Sequence, residues 1–123
     1  MPGQLPNLQG NWSGTLESSS FSTKTVSALF FQEADCVDAT WHSVSTGARW
    51  VGAISVFVRL GGSLDGDMSF EVPVSGRLCT GTGTVTGEVT DNTGTVRWTL
   101  TSYSTNTCTA SDVPSQMILR LQR

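Results

Sequence analysis

The stretch that decides the fold is residues 79–103, CTGTGTVTGEVTDNTGTVRWTLTSY. Thr alternates with Gly and Val from Thr80 to Thr90, and apolar and polar side chains alternate again from Thr95 to Tyr103. A period of two is typical of strands with one buried face. The segment Asp91–Gly94 between the two runs is typical of a hairpin turn. The stretch therefore predicts two antiparallel strands.

One face of the first of these strands carries three glycines, Gly81, Gly83 and Gly87. Glycines in a strand leave space, which can serve either strand coiling or a large side chain opposite. On the second strand, Val96, Trp98 and Leu100 share one face.

The same alternation extends outward in both directions along the chain. Six further segments show it: Leu8–Leu16, Val26–Gln32, Val37–Val44, Arg49–Leu60, Met68–Val74 and Met117–Gln122. Helical periodicity between clear caps is almost absent. About eight short strands at even spacing predict an all-β fold, a single antiparallel up-and-down β-barrel spanning residues 1–123. A β-sandwich is the alternative, because it uses the same alternation.

The composition is that of a secreted β-protein more than that of a cytosolic enzyme. The 123 residues include 17 Thr and 16 Ser, only 14% are charged, and the net charge is −3. Without a basic face, we expect no nucleic-acid partner, and no apolar run is long enough for a membrane span. The start, Met1–Gln4, has no signal-peptide character. The protein is then either cytosolic or the mature form of a secreted one. The low charge and the cysteines favour the second, a protein that is secreted, periplasmic or on the cell surface.

The three cysteines are Cys36, Cys79 and Cys108. In the 79–103 hairpin the inward residues have odd numbers on one strand and even numbers on the other. Partners across this hairpin must therefore be one odd-numbered and one even-numbered residue. Such pairings place Cys79 opposite either Cys108 or Asn106. A Cys79–Cys108 disulfide is therefore predicted, with two reduced thiols as the alternative. Cys36 is left over, and burial as a small apolar side chain is favoured over an intermolecular bridge.

No cysteine or histidine spacing supports a metal site, and we expect neither metal nor cofactor. Asp65-Gly66-Asp67 lacks the further ligands of a calcium loop and is interpreted as a hairpin turn. His42 is the only histidine, so any triad chemistry would have to use it. Glu33 and Asp38 are the acidic alternatives for acid–base catalysis.

Tryptophan is the most informative residue type for function. Trp12, Trp50 and Trp98 fall in alternating strands, and Trp41 lies in another. Such side chains line apolar pockets in barrels, although core packing is the simpler interpretation for any one of them. We predict Trp12, Trp98, Trp50 and Trp41 as ligand-binding residues.

The segment Arg49–Leu60 is apolar on both of its faces. A barrel strand has one inward face, so the other should form an exposed patch, which usually marks an interface. A homo-oligomer built on Ile54, Val56 and Val58 is therefore expected.

The two ends of the chain resemble the calycin pattern of lipocalins, fatty-acid-binding proteins and avidins. Gly10-Asn11-Trp12 on the first strand, with Arg120 or Arg123 on the last, is similar to the motif in which a first-strand Trp packs under a basic residue. The resemblance implies a barrel with an interior pocket. The Ser- and Thr-rich strands with a late cysteine also resemble small secreted or lipid-anchored domains of environmental bacteria.

Three functions follow as hypotheses. The first is a barrel that binds a small apolar or amphipathic ligand. The second is a homo-oligomeric structural or interaction module, and the third is a small barrel enzyme that uses His42 or an acidic residue.

Overall fold

The computed structural model is a closed barrel of eight antiparallel strands. It describes residues 5–18, 21–44, 49–74, 76–90, 92–105 and 108–123. The predicted start Met1–Gln4 and Asp91 of the predicted turn lie outside this range. The strands are β1 (Gly10–Ser18), β2 (Phe21–Glu33), β3 (Cys36–Ser43), β4 (Val51–Val58), β5 (Ser63–Val74), β6 (Arg77–Thr90), β7 (Thr93–Tyr103) and β8 (Gln116–Gln122), with a 3₁₀ turn at Ala110–Asp112.

Each strand pairs with the next along the chain, and β1 also pairs with β8. The up-and-down barrel is thus confirmed, and the continuous ladder excludes the sandwich. Closure depends on Gly14, which pairs with Leu121. A Cβ atom on Gly14 would overlap the carbonyl oxygen of Arg120. Glycine is therefore the residue that lets β1 and β8 approach closely enough to close the barrel.

The inward side chains form one hydrophobic cluster that runs from end to end of the barrel. Within β6 and β7 the inward residues are odd-numbered and even-numbered respectively, as predicted: Val85 and Val89 are buried on β6, and Val96 and Trp98 are buried on β7. Threonines occupy most of the outward positions on β6, and all of them except the half-buried Thr80 are exposed. In β6 the threonines therefore face solvent, and the Gly and Val residues between them face the core.

The glycines of β6 make room for aromatic rings. A Cβ on Gly83 would lie 2.5 Å from the Trp98 ring, and one on Gly81 would lie 2.6 Å from the Phe70 ring. Large side chains therefore lie against Gly81 and Gly83, as one of the two interpretations predicts. A Cβ on Gly83 or Gly87 would also overlap a backbone carbonyl oxygen of β7, so these two glycines let the neighbouring strand approach closely.

Two turn predictions need correction. Asp65-Gly66-Asp67 lies inside β5 and is no turn, because the chain reverses earlier, between β4 and β5. Gly61 and Gly62 have φ values of 91° and 94° there, a region that disfavours other residues. Between β6 and β7 the loop is two residues shorter than predicted, because Thr93 already pairs with Thr90.

The predicted Cys79–Cys108 disulfide is present, with a Cα–Cα distance of 5.9 Å. The register from which it was predicted is wrong. β7 ends at Tyr103, and Cys108 lies in the connection from β7 to β8, which folds back to reach β6. Cys108 and Val113 of this connection are both buried. We call residues 108–115 the stapled loop.

Candidate functional site

The four predicted ligand-binding tryptophans all point into the barrel and are between 1% and 6% exposed. Trp41 and Trp98 lie in the middle of the core. The Trp41 Nε1–H donates to the Met68 sulfur at 3.1 Å, and the Trp98 Nε1–H donates to the Met68 carbonyl oxygen at 3.1 Å. Trp98 also meets Phe70 edge to face, with ring centroids 4.8 Å apart. Their polar atoms are thus already satisfied by the protein.

Trp12 and Trp50 lie near opposite ends of the barrel, and each has a cation over its ring. The Arg123 guanidinium is 4.7 Å from the Trp12 centroid, and the Lys24 ammonium is 4.8 Å from that of Trp50. The first contact is the one suggested by the calycin-like motif, and Arg123 makes it. Arg120 instead pairs with Glu17. Each cation covers its indole ring from outside.

Other parts of the chain also cover the two ends. At the Trp12 end, Leu8 is buried, its N–H donates to the Gln32 side chain, and its carbonyl accepts from Trp12 Nε1 at 2.9 Å. At the Trp50 end, the stapled loop places Val113 against Gly81. A ligand entering the core would have to displace these segments.

The predicted interface residues require a correction. Ile54, Val56 and Val58 are 1–4% exposed and face the core. They alternate with Val51, Ala53, Ser55 and Phe57, which face outward. Since β4 is apolar on both faces, the sequence pattern alone did not determine which face was inside. The exposed apolar residues of β4 are instead Val51, Ala53 and Phe57.

Two depressions lie on the outer wall, with volumes of about 380 Å³ and about 490 Å³. They share four lining residues, Thr40, Ala53, Ser69 and Thr82. These four are consecutive partners across β3, β4, β5 and β6, so they form one row of small side chains across the strands. We call this row and the two depressions the outer groove.

Larger side chains border the outer groove on both sides. On one side the neighbouring row runs from Phe31 through Asp38 and Ser55 to Asp67. On the other side Val51 lies in a row with His42 and Glu71. Phe31 is 54% exposed and Val51 is 36% exposed. The groove therefore combines apolar walls with carboxylates at its rims.

The outward positions of β2 to β6 carry acidic side chains but no Lys or Arg, within the part of the chain that the structure describes. The carboxylates are Glu33, Asp38, Asp65, Asp67, Glu71 and Glu88. Asp65 is neutralised by Arg59, whose guanidinium donates to both of its oxygens at 3.2 and 3.1 Å. This hydrogen bond raises the pKa of Arg59. None of the ion pairs between described residues involves Asp38, Asp67 or Glu71.

The candidate catalytic residues all lie on the outer wall and do not converge. His42 lies between Ser27 and Val51 across the sheet. Asp38 is four residues away on the same strand, about 13 Å at strand spacing. Glu33 pairs with Cys36 next to the β2–β3 turn, at the end of β3 opposite to His42. No pair of these residues has the hydrogen-bond geometry of a catalytic dyad.

Cys36 is exposed, so the expectation that it is buried is wrong. It is an outward residue at the start of β3, next to Phe57 of β4. Among the described residues, one group of three candidate metal ligands occurs, Cys79, Cys108 and Asp112. Its two sulfurs are joined in the disulfide, and a disulfide is no metal ligand of the thiolate kind.

Sequence reasoning missed the outer groove. Thr40, Ala53, Ser69 and Thr82 are small residues on four different strands, and each is unremarkable in its own segment. Only the register brings them together. The signal that could have found them is one small outward residue on each of four neighbouring strands, which becomes visible only with the correct pairings.

Comparison with known proteins supports the fold and no family. A solved structure of a redesigned β-barrel is similar, with a TM-score of 0.62 and 19% identity, over 94% of this chain and 90% of that one. No family model and no curated protein matches the chain. Among the described residues, no helix is long and apolar enough to cross a membrane.

Proposed function

We propose that this protein is a binding protein and that its ligand is a small apolar or amphipathic molecule held in the outer groove. The observation that carries the proposal is the row Thr40–Ala53–Ser69–Thr82, which makes two depressions into one continuous groove. Their volumes fall in the range of about 300–1,000 Å³ that is usual for small-molecule sites.

The packed interior favours the outer wall over the core as the site. The core tryptophans already have hydrogen-bond and ring partners, and both barrel ends are covered. A ligand in the core would have to replace these contacts. In the outer groove, a ligand would cover apolar side chains that now face solvent, such as Phe31 and Val51.

The closed barrel also restricts how a partner can be recognised. Every strand is paired on both sides, so no free edge is offered for an added strand. Recognition must then use the side chains of the wall, and the small residues of the groove are where a ligand can approach the sheet most closely.

Replacing Ala53 with glutamate is expected to weaken binding of the neutral fluorescent probe N-phenyl-1-naphthylamine by about tenfold or more, since a charge on the groove floor must be desolvated. The probe's emission on titration gives the affinity. Thr99→Glu is the matched control, because Thr99 is an exposed outward residue on β7 that lines neither depression. Equal weakening in both variants, or none in either, would contradict the site.

The disulfide indicates the compartment in which the protein is found, and the Trp12–Arg123 contact indicates the type of barrel. Disulfides persist in oxidising compartments, which supports a secreted, periplasmic or cell-surface protein. The contact of Trp12 with Arg123 supports a calycin-like barrel. Analogy of fold does not extend to the ligand.

A second candidate function is self-association, favoured by two exposed aromatic rings on one face. Phe31 and Phe57 are 54% and 52% exposed, and the exposed Cys36 lies next to Phe57. Exposed apolar side chains that are grouped on one face favour an interface.

If this face joins two copies, Phe57→Ser should convert a dimer into a monomer. Size-exclusion chromatography with light scattering measures the mass. Leu78→Ser is the matched control, because Leu78 is 58% exposed but lies at the opposite end of the barrel. A wild-type protein that is monomeric at high concentration would rule this candidate out.

A further inference from the structure

We infer that the ligand of the outer groove carries a positive charge: the site takes a small amphipathic cation, an apolar body ending in an ammonium group. The inference rests on the proposed groove and adds the chemical class of its ligand. Its basis is the combination of an apolar groove with carboxylates that have no cationic partner among the described residues.

Two aspartates lie on either side of a small residue in the first depression. Asp38 pairs across the sheet with Ser55, and Ser55 pairs with Asp67. The two aspartates are therefore two strands apart on the same face, with Cα atoms about 10 Å apart. The small Ser55 between them leaves the space above it open, and all three residues line the first depression. An ammonium group above Ser55 would lie between two carboxylates.

Glu71 lies on the opposite rim, so carboxylates border the groove on both sides. No Lys or Arg lines either depression. Arg59 is paired with Asp65, Arg120 with Glu17, and Arg77 with Asp112, while Arg49 and Arg97 are exposed and lie outside the lining. Lys24 and Arg123 are held over tryptophan rings. The carboxylates that line the groove therefore favour a cation over a fatty-acid carboxylate.

The groove also contacts the apolar part of the ligand. Phe31 stands next to Asp38 at the wall, and Ala53 forms the floor one row away. An alkyl or aryl chain lying along the floor from the Asp38–Asp67 pair would contact both. A compact ion without an apolar part would leave these surfaces in water, so an amphipathic cation fits better than an inorganic one.

The test compares three probes of equal chain length: octylammonium, octan-1-ol and octanoate. Amide chemical shifts of the isotope-labelled protein, recorded by NMR at neutral pH and low salt, give affinity and location together. Octylammonium is expected to bind about tenfold more tightly than octan-1-ol, since two surface ion pairs are made, and octanoate more weakly than either. The shifts should centre on Thr40, Ala53 and Ser55.

Variants then separate the inference from the function on which it rests. The double variant Asp38→Asn with Asp67→Asn should lose the preference for octylammonium and keep its affinity for octan-1-ol. Glu88→Gln is the control, because it removes one exposed charge of the same wall outside the groove. High NaCl should reduce the preference in the wild type.

The outcomes are distinguishable. Equal binding of octylammonium and octan-1-ol at the groove would overturn the cation and leave the proposed function standing. A preference that survives in the double variant would overturn the role of these two aspartates. No shifts at the groove with any probe would overturn the proposed function itself, and shifts that indicate a second copy of the chain on this wall would replace the small molecule by self-association.

Discussion

Replacing Trp98 with alanine is expected to lower the free energy of unfolding by about 3–5 kcal/mol, the usual range for deleting a buried Trp side chain. Trp98 is 1% exposed and packs against Phe70 with ring centroids 4.8 Å apart. The site cannot collapse easily, because Gly83 has no side chain to move into the space. The variant also leaves the Met68 carbonyl oxygen without the indole donor.

Urea unfolding followed by circular dichroism measures this change, since Trp emission itself is altered by the substitution. Thr99→Ala is the control: it truncates the next residue of β7, which faces outward and is exposed, and should shift stability by less than about 0.5 kcal/mol. A loss below about 1 kcal/mol for Trp98→Ala would mean that the core is loosely packed around it, and would revive the hypothesis of an interior ligand site.

Trp98 and Gly83 also show how far the sequence could lead. The period of two placed Trp98 on the inward face, and the glycines of β6 indicated an unusual need for space. Both inferences use neighbours within one hairpin, where the turn limits the pairings to a few. The confirmed barrel follows from the same local pattern repeated eight times.

The faces of β4 could not be assigned in this way. Val51, Ala53 and Phe57 are as apolar as much of the inward set, so alternation gave two equivalent answers. The choice is made by β3 and β5, which place Ala39 and Met68 beside Ile54 inside the barrel. The information that fixes the inward face of a strand apolar on both sides is thus held in its partners.

The outer groove was beyond sequence reasoning for a related reason. Its floor depends on three successive pairings, Thr40 with Ala53, Ala53 with Ser69 and Ser69 with Thr82. A slip of one residue in any of them would point that strand's groove side chain to the other face. The charges at its rims likewise become a pattern only once Asp38 and Asp67 are known to flank Ser55.

Removing the Cys79–Cys108 disulfide by the double substitution Cys79→Ala and Cys108→Ala is expected to cost about 3.5 kcal/mol, the loop-entropy value for a closed loop of about 30 residues. The cysteines are separated by 29 residues, so the bridge restricts the unfolded chain across β6, the β6–β7 turn and β7. In the folded state it holds the stapled loop, with buried Val113, over the Trp50 end of the barrel.

The matched control is Cys36→Ser, because Cys36 is exposed and free and its replacement should leave the stability unchanged. Urea unfolding of the wild type with excess dithiothreitol should reproduce the loss seen in the double variant, provided that the reductant reaches the two buried sulfurs. A double variant as stable as the wild type would show that the stapled loop stays in place through Val113 alone. A loss equal to the expected entropy term, with a larger denaturant slope, would show that the bridge acts by limiting the unfolded chain and that the barrel closes without it.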